Sequence, residues 1–204
     1  MHPSREDKEV TYAFGVIGDF FDCFGLYYAV RDTEHLIRSA ANNKVYKKGT
    51  PGNLLFFTDS FEELVSAAFA LIESHAERKE AHLPFDENNP DPDISRQWDF
   101  VAGGLYPNAF GDFPRSLNRR QYFNPYKAIK KFVSHKTEAE WKTTLKTIVE
   151  YALTGGTSDE EYPASELMVI RLRMLQLIEG CHLLHVRTNN KKPAKDTIPK
   201  LKKK

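Results

Sequence analysis

Apolar residues recur at three- and four-residue steps along most of the chain, the period of a helix that buries one face. The first stripe spans residues 11–42 and includes Ile17, Phe20, Phe21, Phe24, Tyr27 and Tyr28. Gly15, Gly18 and Gly25 each weaken it by up to about 1 kcal/mol relative to alanine, so a break or kink is expected within it. Asp32, with Glu34 behind it, is a candidate start for a second helix through Leu36, Ile37, Ala40 and Ala41. Residues 43–53 read as a loop, with Gly49, Pro51 and Gly52 as its turn residues. Ser60 and Glu63 have capping-box spacing and predict a helix in which Phe61, Leu64, Val65, Ala68, Leu71, Ile72 and His75 share a face. Residues 54–57 are the one candidate strand, or else the first turn of that helix.

The pattern fails over residues 82–124, where five prolines and Gly103, Gly104 and Gly111 interrupt it. Long irregular connections are uncommon inside compact domains. This one carries Phe85, Trp98, Phe100, Tyr106, Phe110, Phe113, Tyr122 and Phe123. Disordered segments are poor in aromatics, so the part after Ile94 is expected to be ordered and packed on the helices, and the acidic run at 86–93 mobile. Helical period then returns. Asn124 and Pro125 open a helix whose Tyr126, Ile129, Phe132 and Val133 face inward. Thr137 and Glu140 form a second capping box ahead of Trp141, Leu145, Ile148 and Ala152, and Gly155–Gly156 closes that helix. After Pro163 comes the most apolar stripe: Leu167, Ile170, Met174, Leu177, Ile178, Cys181 and Leu184, widened by Leu172, Leu175 and Leu183. That width predicts a central helix.

The expected fold is therefore all-α: a compact bundle of about five or six helices in a single domain over residues 11–188. A flexible N-terminus (1–10) precedes it and a disordered basic tail (189–204) follows. At 204 residues and 23.4 kDa the chain is long enough for a substantial core. Residues 13–30 are nearly long enough to span a bilayer, but Asp19 and Asp22 each cost about 2.5–3.5 kcal/mol on the insertion scale, more than the surrounding apolar residues return. They read as a buried helix, and no membrane span is expected. With no secretory start and only Cys23 and Cys181, the chain reads as a soluble cytoplasmic protein with two reduced thiols.

Charge changes this picture. Residues 187–204 carry eight basic side chains against Asp196, and residues 114–136 carry seven and no acid, so each segment is +7. Subtracting both from the net +1 leaves −13 on the rest. In the second segment Arg115, Arg119 and Arg120 stand close to Tyr122 and Phe123, and Lys127, Lys130 and Lys131 share the helix side opposite the apolar stripe. Cations pair with phosphates and aromatics can stack on bases, so these eight residues are the candidate partner-binding set. The expected function is non-catalytic binding or regulation with an anionic macromolecule, nucleic acid or an acidic protein, as partner. A solvated helix face would carry the same pattern.

The alternative is a small helical enzyme of hydrolase or nuclease type. Asp19 and Asp22, at i, i+3, share a helix face, and Arg31 and His35 could join them if the helix continues. Two close carboxylates can hold a divalent metal or divide acid and base roles. His182 and His185 beside Cys181 are a further metal candidate, but two more ligands at metal-like spacing are missing. No P-loop, dinucleotide fingerprint, GxSxG or HExxH is present, and no cofactor is implied.

Overall fold

In the computed structural model, which describes residues 5–42, 44–77, 114–156 and 161–189, the first apolar stripe forms two helices. α1 spans Arg5–Cys23 and α2 spans Leu26–Ala41. They are bent by 83° at the break, which falls at Phe24–Gly25, well before Asp32. Gly25 stands at the break, where its low helical propensity costs least because nothing packs against its Cα, although Gly15 is equally open. The start of α1 reaches back to Arg5, into the segment expected to be flexible.

α3 spans Pro51–Glu77 and so absorbs both the predicted loop end and the candidate strand at 54–57. Thr50 is its cap: its hydroxyl accepts the N–H of Asn53 at 3.2 Å, and Pro51 fills the first helical position, which needs no donor. The Ser60–Glu63 box does not form, because Ser60 lies mid-helix and donates its hydroxyl to the Phe56 carbonyl at 2.9 Å. α4 (Arg119–Phe123), α5 (Tyr126–Val133), α6 (Glu138–Thr154) and α7 (Ala164–Asn189) follow. Among the described residues there are seven helices and no strand. No single helix among them is long and apolar enough to cross a membrane.

The two later helix ends match the sequence reading. Thr137 and Glu140 satisfy each other's backbone N–H groups at the start of α6. Gly155 ends it in the left-handed region at φ 72°, where a side chain would also crowd Val45. α7 is central, packing against α1, α2, α4 and α5, while α3 packs against α1, α5 and α6. Gly180 on α7 lets α5 approach, since a Cβ there would lie 3.3 Å from that of Ala128 and 3.4 Å from the Pro125 carbonyl. Phe20, Phe57, Phe61, Phe132 and Trp141 dominate the core. Leu172, expected to widen the buried stripe of α7, is instead 38% exposed.

Of the long irregular segment, residues 114–124 are ordered and contain α4. The remainder of it, with residues 94–113 and the acidic run at 86–93, lies outside the described residues. So does the tail beyond Asn189.

Candidate anionic-partner interface

The basic edge is fixed from beneath by polar residues of α7. Glu179 and Gln176 interrupt the apolar run of that helix, and both are buried. Glu179 accepts the backbone N–H of Arg115 at 3.0 Å and of Ser116 at 2.7 Å. Burial pushes its carboxyl above the usual range, and the backbone N–H groups of residues 115–117 offset part of that push. Gln176 donates to the Ser116 carbonyl at 3.1 Å. The chain that enters α4 is thus tied to the central helix through its backbone, which leaves the basic side chains turned outward.

α4 has only five residues and depends on its cap. Asn118 accepts the N–H of Gln121 at 3.0 Å, and Gln121 accepts the N–H of Asn118 at 3.0 Å. This Asn-x-x-Gln box was a readable signal for a helix inside the irregular segment. Arg187 of α7 closes the other end, donating to the Tyr122 carbonyl at 2.8 Å and lying 5.2 Å from the centre of the Tyr122 ring. Arg119 lies 5.6 Å from the centre of the Phe123 ring. Both rings are half-buried, so their first role is to seat α4 on the bundle.

α5 is sharply amphipathic. Tyr126, Ala128, Ile129 and Phe132 are buried, and Lys127, Lys130 and Lys131 are exposed. Arg115, Arg119 and Arg120 are exposed as well. Arg119, Arg120, Lys127, Lys130 and Lys131 have no ion-pair partner among the described residues. Five of the predicted cations are thus exposed on two consecutive helices, α4 and α5.

The alternative set is distributed differently. Asp19 and Asp22 are exposed on α1, whereas Arg31 and His35 lie on α2 beyond the 83° bend. Arg31 pairs with Asp32 at 2.9 Å and sits 4.7 Å from the centre of the Tyr28 ring. Burial and the nearby Lys48, Arg38 and Arg31 lower the His35 pKa. Among the described residues, no group of three or more His, Cys, Asp or Glu side chains is placed to hold a metal ion.

His182 is buried and His185 half-buried, and both rings pack on Phe21, with centres 5.0 and 5.7 Å away. Burial, aided by His185, lowers the His182 pKa to about 3. Burial also lowers that of His185, against the nearby Asp22. An imidazole with a depressed pKa stabilises the fold at neutral pH, because the unfolded chain binds the proton more readily. That contribution is lost as pH falls from about 6.5 towards about 3. Between pH 7.5 and pH 5, His182 alone should cost about 2 kcal/mol of stability. Urea denaturation at the two pH values checks this, and His182→Leu should remove most of the difference.

Comparison with protein-family models, curated proteins and solved structures finds no match to this chain.

Proposed function

We propose that this chain is a non-catalytic binding protein that engages nucleic acid through the edge formed by α4 and α5. The observation that carries the reading is the set Arg119, Arg120, Lys127, Lys130 and Lys131: five exposed cations on two consecutive helices, without ion-pair partners among the described residues, in a segment without a single acid. Screening acts over about 8 Å at physiological salt, so the acidic remainder of the chain does not cancel this local field. Backbone anchoring of Arg115 and Ser116 to Glu179 and Gln176 favours the same reading, because it holds the chain that leads into α4 in place. The reading includes a cytoplasmic location, which the unpaired thiols of Cys23 and Cys181 suit.

Five phosphate contacts imply that affinity falls about a hundredfold for single strands and about five hundredfold for duplexes between 50 and 200 mM salt. Anisotropy titrations with single- and double-stranded DNA and RNA measure this directly. Replacing the five cations by glutamine in the full chain should flatten the salt dependence. Because the basic tail is present in both proteins, their difference reports on the edge alone. Absence of low-salt affinity for all four nucleic acids would overturn the nucleic-acid reading and leave an acidic protein as the partner to seek.

A further inference from the structure

On another face of the molecule, α3 and α6 leave an open groove of about 530 Å³ between them. Its floor is apolar, with Leu55, Val149 and Leu153, and Leu55 is 46% exposed. Asp59, Glu62 and Glu150 stand along its rim against a single cation, Lys146. None of these four has an ion-pair partner among the described residues. An apolar floor with a net negative rim fits a cationic segment that has apolar residues between its charges.

The chain itself carries such a segment. Residues 190–204 hold seven lysines against Asp196, with Ile198 and Leu201 set among Lys200, Lys202, Lys203 and Lys204. We propose that the α3–α6 groove is the docking site of this chain's own residues 198–204. Ile198 and Leu201 cover Leu55 and Leu153, and the lysines meet Asp59, Glu62 and Glu150. Reach permits it. Phe21 of α1 packs on His182 and His185 near the end of α7, and the adjacent Phe20 packs on Phe57 and Phe61 of α3. α1 therefore lies between the end of α7 and the half of α3 that lines the groove. Two helix-to-helix steps cover about 20 Å, and fifteen residues can extend about 50 Å. Ile198 and Leu201 are the segment's two large apolar residues, and the groove supplies apolar surface to cover them.

Zero-length carbodiimide coupling of the full chain, at low protein concentration, tests this. Peptide mapping of the monomer should find the tail lysines joined to Asp59, Glu62 and Glu150. The joint substitution Glu62→Lys, Glu150→Lys should cut that yield by about tenfold. Leu55→Ser should cut it severalfold, because the apolar floor shares in the docking. Coupling spread over exposed acids elsewhere, such as Glu9 and Glu73, would overturn the proposal. So would coupling found only between two molecules, or a yield that Leu55→Ser leaves unchanged.

Discussion

Replacing Trp141 with alanine should lower the free energy of unfolding by about 3–5 kcal/mol. Trp141 is fully buried at the start of α6. Its indole stacks on Phe132 with ring centres 4.0 Å apart and planes 9° from parallel, and its Nε1–H donates to the Phe132 carbonyl at 3.2 Å. One side chain thus fills the space between α5 and α6 and satisfies a carbonyl at the end of α5. Alanine would leave a large void and remove one of the carbonyl's donors, leaving it the backbone N–H of His135 at 3.0 Å. Domains of this size are stable by only about 5–15 kcal/mol, so the loss is a large share of the total. A denaturation midpoint moved strongly downward with an unchanged slope is the expected result, and Trp141→Phe should lose much less.

The second large effect is expected at Glu179. Glu179→Leu removes the acceptor shared by the N–H groups of Arg115 and Ser116. A buried donor left without a partner costs about 1–3 kcal/mol, so a loss of about 3 kcal/mol is expected for the pair. Amide hydrogen exchange should quicken first at residues 115–117, ahead of the rest of the bundle. Glu179→Gln keeps one acceptor oxygen and should cost less. The carboxyl of Glu179 is raised by burial, so its contribution is full below the ordinary glutamate range and declines as pH rises through the raised value. The difference between the native protein and Glu179→Gln should therefore shrink as pH rises, opposite in direction to the effect of His182.

Where local signals and tertiary packing agree, the sequence was readable. Thr137, Glu140 and Gly155 bound α6 because capping chemistry is local and needs no knowledge of neighbours. The amphipathic division of α5 was legible for the same reason. Ser60 and Glu63 had the right spacing but the wrong context, since Thr50 and Pro51 had already begun α3 nine residues earlier. The position of the bend was not legible, because Gly15, Gly18 and Gly25 have equal propensity and only packing separates them. α1 carries Ile17 and Phe20 into the core on either side of Gly18. At the candidate interface, the cations could be read from charge alone. Their supports could not: Glu179 and Gln176 look like interruptions of an apolar helix until the 115–117 backbone is seen against them.

The central position of α7 has a consequence for the order in which the core can form. α1, α2 and α5 all bury apolar faces against a helix that is made after them. At synthesis rates of about 5–20 residues per second, roughly 10–30 s separate the appearance of α1 from that of α7. Through that interval Phe21 of α1 and the side of α5 that faces α7 lack their partner, while Phe20 can already pack on Phe57 and Phe61 of α3. A truncation before Ala164 would leave those faces uncovered permanently.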